Sequence, residues 1–248
     1  MIQKPFAVGV RIEHKQDIIN KSQYGKYSKF LPNADYKLTH TCTDGRGVYS
    51  FCMCPGGFVV NASSEENHLV INGMSNHKRN EENANSAIVV QVSNKDFGNN
   101  IFDGMNFQRH LEAKAYSLGN GLIPVQLFSD YENNTISKEF KSVKPIFKGN
   151  YKFANINDIF PEFINNDLKE AINYFNNKID GFNSGDAIIA GVETRTSSPI
   201  RIVRGENGMS NIDGIYPIGE GAGYSGGITT SAMDGIKISE LIAKVYKN

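Results

Sequence analysis

GIYPIGEGAGYSGGITTSAMDGI, residues 214–236, is the stretch on which the reading of this chain turns. It reads as a short strand over residues 215–218, a glycine-dense turn, and then a helix. Gly221, Gly223 and Gly226 satisfy G-x-G-x-x-G. That match is weak on its own, because a complete dinucleotide unit needs a second strand carrying an acidic residue about 20 positions later. Here the sequence reaches Asn248 still in the helix. The physical content survives: residues without Cβ let a ligand approach the backbone, and the opening amides of a helix present unsatisfied N–H groups. The turn is therefore expected to seat something anionic or electron-rich.

Downstream, Ile238, Leu241, Ile242 and Val245 fall at i, i+3, i+4 and i+7, the stripe of an amphipathic helix. Upstream, residues 187–192 form an apolar strand, and Ile200, Ile202 and Arg204 alternate with Arg201 and Val203. Pro161 suits the first turn of a helix that carries Ile164, Leu168, Ile172 and Phe175 on one face and stops by Gly181. Phe107, Leu111, Ala115 and Leu118 mark another helix, with Gly119 as its C-cap. Residues 48–54, 58–63, 69–73 and 87–92 read as short strands, and residues 17–22 as a short helix. Residues 129–157 look like loop with one short strand. Near the amino terminus Phe6, Val8, Val10 and Ile12 alternate with Ala7, Gly9, Arg11 and Glu13, the period of a half-buried strand. That strand looks like an element met mid-domain, since almost no leader precedes it.

These elements predict an α+β fold with a mostly antiparallel sheet. The expected division is one domain over residues 1–185 and a return into a different domain over residues 186–248. The 248 residues, 40% of them hydrophobic, can bury a sizeable core. Lys plus Arg balance Asp plus Glu at 26 each, so no net field favours nucleic acid or a membrane surface. No apolar run is long enough to span a bilayer and no signal core opens the chain, which points to the cytoplasm. Three cysteines do not suggest a disulfide framework.

The run from Gly214 to Ile228, followed by Ala232, Asp234 and Gly235, resembles the C-terminal FAD motif of two-dinucleotide-fold flavoproteins. More narrowly, the chain resembles the bacterial NAD(FAD)-utilising, or FAD-dependent, dehydrogenases. The matching stretches are FAVGVRIEH, LPNADYKL, GRGVYSFCMCPGG, NGMSNHKRN, ANSAIVV, FQRHLEAKAY, GVETRTSSPIRI and the glycine turn. The resemblance implies an FAD-dependent oxidoreductase, with this chain supplying a substrate domain and one wall of the flavin site. It also implies that the strand, turn and helix at the C-terminus belong to an incomplete FAD-binding domain. The N-terminal G-x-G-x-x-G segment of the same protein would then be a missing partner. The piece alone is expected to hold no FAD and to be inactive, and NAD(P)H is the reductant the family name suggests. The alternative is a stand-alone module that holds a small anion without flavin or catalysis. A flavin enzyme acting on a modified RNA base fits the neutral charge less well.

The resemblance places Glu220, with Gly219 and Gly221 beside it as cofactor-binding residues, at the ribityl or phosphate portion, and puts Gly226, Gly227 and Ile228 against the flavin edge; the plain alternative is a solvated tight turn. Glu193, Arg195, Thr196, Ser197, Ser198 and Pro199 follow an apolar strand, where a ligand crevice commonly opens. The resemblance places this cluster near the flavin ring, with Thr196 and Ser197 as cofactor-binding residues and Arg195 holding an anionic substrate or raising the flavin potential, unless Arg195 pairs structurally with an acid such as Glu193. His77, beside Lys78 and Arg79, is a candidate acid or substrate ligand, or a solvated surface residue. Cys52 and Cys54, before Pro55, Gly56 and Gly57, are candidate flavin-facing thiols or inert cysteines. In the region of His40, Cys42 and Arg46 no metal is expected, since the single residue between Cys52 and Cys54 fits a structural zinc site poorly. The small-molecule substrate is not legible.

Overall fold

The structure, a computed structural model, describes residues 1–246. The chain runs through β1 (Ile2–Gln3), β2 (Phe6–Lys15), α1 (Gln16–Tyr24), β3 (Thr39–Thr41), β4 (Gly47–Cys54) and β5 (Gly57–Asn61). Then come β6 (Ile71–Ser75), β7 (Asn83–Val92), α2 (Asn94–Phe97), α3 (Asp103–Gly119), β8 (Ile123–Leu127) and α4 (Phe128–Glu132). β9 (Phe147–Lys148), β10 (Tyr151–Phe153), α5 (Glu162–Phe175), β11 (Ile188–Glu193), β12 (Ile200–Arg201) and α6 (Ile228–Val245) complete it. The fold is α+β with mostly antiparallel pairing, as the sequence pattern predicts. No helix among the described residues is long and apolar enough to cross a membrane.

Two compact units divide the chain. One takes Met1–Ala7, Val92–Gln108 and the residues from Arg195 onward; the other takes Val8–Gln91 and Arg109–Thr194. They are interleaved in sequence, where a single boundary after residue 185 was expected. The ladder between β1 and β12 explains part of this, because it ties the first residues to the last quarter of the chain.

The larger unit is built on a seven-stranded sheet in the order β10-β8-β11-β2-β7-β4-β3. The pairs β11–β2, β11–β8, β4–β7 and β3–β4 are antiparallel, and β10–β8 is parallel. A smaller sheet, β6-β5-β9, belongs to the same unit. Residues 187–192 were expected to belong to the return over residues 186–248. Instead β11 is buried along its whole length, because β8 and β2 flank it on both sides. β2 departs from its pattern too. Its alternation suggests one wet face, yet every residue from Phe6 to His14 is buried, Arg11 and Glu13 included. Gly9 shows how closely β7 approaches, since a Cβ there would lie 2.0 Å from the Ile88 carbonyl oxygen.

Helix α5 follows its sequence signal. It starts after Pro161 and buries Ile164, Leu168, Ile172 and Phe175 completely. α3 ends one residue later than its glycine suggests. Asn120 takes the left-handed turn at φ +53°, with Asn120 N–H donating to the Ser117 carbonyl and Gly121 N–H to the Tyr116 carbonyl. Residues 129–157 hold more structure than expected, namely α4, β9, β10 and a buried Tyr131 whose hydroxyl donates to Asn165.

In the smaller unit, Phe6 stacks on Phe97 with ring centroids 5.2 Å apart. Residues 215–218 form no strand. Pro217 has no N–H to give to a ladder, and the Ile215 carbonyl is taken by the Ser210 amide. The C-terminal element is thus a turn and a helix, without the expected strand. α6 buries Ile238, while Ile228 (93%), Met233 (63%) and Ile236 (63%) stay exposed.

Burial raises the Glu13 carboxyl from 4.5 to about 7, against hydrogen bonds from Asn83 and the Ile146 amide that favour the anion. A raised folded-state value means stability that is complete below the unfolded value and lost as pH climbs through about 7. Both bonds fall on Oε1, which glutamine retains. Glu13→Gln should therefore match the parent near about pH 5 and exceed it near about pH 8 in denaturant midpoint.

Candidate functional site

The start of α6 is open. Gly227 precedes the helix in an extended conformation, and no side chain caps the first amides. Nearby hydroxyls are engaged elsewhere: Thr230 Oγ1 donates to the Gly227 carbonyl, and the Ser225 and Ser231 hydroxyls bond each other at 2.6 Å. The first helix bond recorded here runs from Ser231 N–H to Gly227 O, so the amides of Ile228, Thr229 and Thr230 face outward from exposed residues. With the positive end of an 18-residue helix behind them, they suit an anionic or electron-rich group.

The glycines divide by role. Gly219 (φ +71°) and Gly223 (φ +83°) hold left-handed turns, and a Cβ on Gly223 would lie 2.4 Å from the Ile200 carbonyl oxygen. At Gly221 a Cβ would meet nothing within 4 Å, and at Gly226 and Gly227 it would meet ordinary contacts at 3.5 Å or more. Neither strain nor crowding inside the unit demands glycine at those three positions. Gly226 faces Thr196 and Ser197, so the structure brings these sequence candidates together.

Thr196 itself is spent on structure: its hydroxyl donates to the Ala7 carbonyl and accepts from the Ala7 amide. Ser197 accepts from Lys4 Nζ at 3.0 Å. Lys4 was missed from sequence, where a lone lysine near a terminus carries no pattern. Its pKa is lowered by burial and by Arg201, with Glu220 acting in the opposite direction. Lys4, Arg201, Ser197 and the exposed Glu220 therefore form one polar neighbourhood beside the turn.

A second missed feature holds the turn to the helix. Arg204 grips Asp234 through two bonds at 2.9 and 2.6 Å, donates to the Pro217 carbonyl, and lies 3.6 Å from the Tyr224 ring centroid. Asp234 also accepts the Gly219 amide at 2.9 Å. These contacts, Arg204 first, hold the Asp234 carboxyl down to about 2. The lock persists above the ordinary carboxylate value and loosens as pH falls toward 2. Removing a charged acceptor costs about 1.5–3 kcal/mol. Asp234→Ala should accordingly speed hydrogen exchange at the Gly219 amide roughly tenfold or more near neutral pH.

The remaining candidates lie elsewhere. Arg195 is exposed in the smaller unit, and His77 is exposed on a turn after β6 in the larger one. Cys52 and Cys54 lie either side of Met53 at a bulge of β4, which replaces simple alternation there: Cys52 has φ +43° and the register to β7 shifts. Both are free thiols, and burial raises Cys54. The Cys52 carbonyl accepts from Arg11, whose guanidinium makes five hydrogen bonds. Glu193 takes two, at 2.7 and 3.0 Å; Asn85 and Asn72 take the others. Glu193 thus turns inward to Arg11. Removing one charge of such a buried pair costs about 3–5 kcal/mol, while a matched apolar replacement of both costs far less. Glu193→Gln should lower the unfolding free energy by about that amount, and Arg11→Met with Glu193→Leu should recover only part of it, because Asn85, Asn72 and the Cys52 carbonyl lose their donor.

Residues 5–196 match the family described as FAD-dependent protein, C-terminal domain-like. The chain belongs to this family. An uncharacterized protein of Clostridium beijerinckii is 48% identical over 253 residues, covering 99% of this chain. The chain spans 48% of that relative's length. The family match stops at Thr196, so the relative's similarity is what reaches across the glycine turn. The residues fit the group the family name implies. An uncapped helix start, faced by glycines that nothing internal requires and flanked by Lys4 and Ser197, has the donors an electron-rich ring edge or a phosphate needs.

Proposed function

We propose that this chain is the C-terminal half of an FAD-dependent oxidoreductase, a dehydrogenase or reductase, contributing the substrate domain and one wall of the flavin site. FAD supplies the electron chemistry when bound. The work of this chain is positional and electrostatic. The amides opening α6 hold an electron-rich edge, Gly226 and Gly227 let it come close, and Lys4 with Ser197 adds a cationic flank. The reading is carried by one observation: α6 begins without a cap, beside glycines that internal packing does not call for.

Further support comes from apolar surface left uncovered in the smaller unit. A cavity of about 900 Å³ beside Arg204 is lined by Met1, Ile202, Val203, Met209 and Ile215. Such surface is expected where a further part of a protein packs. The relative is about twice as long as this chain, which leaves room for a nucleotide-binding half.

A chimera tests this reading, with this chain replacing its counterpart in the Clostridium beijerinckii relative. The purified chimera should be yellow and retain flavin through gel filtration, and Gly226→Val in it should be colourless with an unchanged circular dichroism spectrum. Equal flavin in both proteins would end the assignment of α6 as the flavin wall. A folded, colourless chimera that binds inorganic phosphate would favour the small-anion module instead.

A further inference from the structure

His40, Cys42 and Glu170 bring an imidazole nitrogen, a thiol sulfur and a carboxylate oxygen within 4.8 Å of one another. We propose that these three residues bind one divalent transition-metal ion, for which Zn²⁺ is the best chemical match. The cluster lies wholly within the larger unit and shares no residue with the flavin-facing turn.

Local structure sets it up. His40 is on the edge strand β3, and Cys42 follows two residues later, where a tight turn begins; the Cys42 amide donates to the Arg46 carbonyl and the Gly45 amide back to the Cys42 carbonyl. Glu170 comes from α5, three residues after Asp167, so both acids share one helix face. Two of the donors already pair with each other, and the third makes only a long contact. His40 Nε2 lies 2.9 Å from Glu170 Oε1, and the Cys42 thiol makes a long contact of 3.6 Å to the Asp167 carbonyl.

Asp167 gives an independent sign of a cation. It is 5% exposed, its Oδ2 has no hydrogen-bond partner among the described residues, and Arg46 Nε lies 4.0 Å from that oxygen. A buried carboxylate oxygen left this way costs free energy unless something else neutralises it.

The donor set selects the ion. One thiolate, one carboxylate and one neutral imidazole balance a dication, and sulfur with imidazole disfavours calcium and magnesium. Three protein ligands leave a fourth position for water or a further donor. Support for the first ligands is already present: Thr43 donates to Glu170 through its hydroxyl at 2.8 Å and its amide at 3.0 Å, and the His40 ring stacks on Tyr174 at 4.1 Å. A pocket of about 330 Å³ lined by His40, Thr39, Tyr49 and Tyr174 gives a route from solvent.

The test uses the full chain, stripped with a chelator and titrated with Co²⁺ and then Zn²⁺. Expected are one Co²⁺ per chain, a thiolate-to-cobalt charge-transfer band with the visible bands of a tetrahedral site, and displacement of both by Zn²⁺. Cys42→Ser should abolish the charge-transfer band, and Glu170→Gln and Thr43→Val should each weaken Zn²⁺ binding roughly tenfold or more. The Cys52→Ser/Cys54→Ser double variant should keep the full signal. Circular dichroism confirms that each protein is folded. Folded parent chain without the charge-transfer band would overturn the proposal, as would a band that survives Cys42→Ser or vanishes in the double variant.

Discussion

In the larger unit, the buried contact between Arg11 and Glu193 constrains how strands of both sheets can meet. Arg11 is fully buried, and each of its five N–H groups is matched by an acceptor from β11, β4, β7 or β6. One side chain thereby ties the seven-stranded sheet to the three-stranded one. The fit excludes even a methyl group nearby, since a Cβ on Gly73 would lie 2.1 Å from the guanidinium. Such a pair is poor evidence of net stability, because leucine and methionine of similar volume can do as well. Its worth lies in specificity: a register slip of β11 or β2 would carry a charge away from its partner into an apolar interior.

That pair also shows where sequence reading fails. Alternation along residues 6–13 implies a wet face holding Arg11 and Glu13, because a single sequence carries no information about the partner strand. The partner of Arg11 lies 182 residues away and that of Glu13 lies 70 away. α5 was legible for the converse reason. Its apolar period of Ile164, Leu168, Ile172 and Phe175 is local, and so is the proline that opens it. The extra structure in residues 129–157 escaped notice because β9 and β10 are two and three residues long, too short to show a period.

The glycine turn was legible as a place and not as a mechanism. G-x-G-x-x-G assigns equal weight to Gly221, Gly223 and Gly226, yet only Gly223 holds a left-handed turn packed against β12. The glycines left without an internal task are Gly221, Gly226 and Gly227, and Gly227 lies outside the motif. The strand expected before the turn is replaced by the Arg204–Asp234 lock, which fixes the turn through side chains where a ladder would use backbone. Asp234 was visible as part of the resemblance, whereas Arg204 and Lys4 had only spatial reasons to be noticed.

The same reasoning applies to His40, Cys42, Asp167 and Glu170. Two short spacings, His-x-Cys and Asp-x-x-Glu, are each too common to mean anything, and more than 120 residues separate them, with Cys42 and Asp167 contacting at |i−j| of 125. β3 is the last strand of its sheet and only three residues long, so it has one ladder to hold it. An edge of that kind needs cover, and α5 provides it. If packing were the whole purpose, the helix face turned to β3 should be apolar there, as it is one turn away at Leu168, Ala171 and Ile172. It carries two carboxylates in place of apolar side chains, one of them buried with an oxygen unanswered. That exchange weakens the cover, and a cation shared by strand and helix is the simplest partner that would turn the same residues into a clamp.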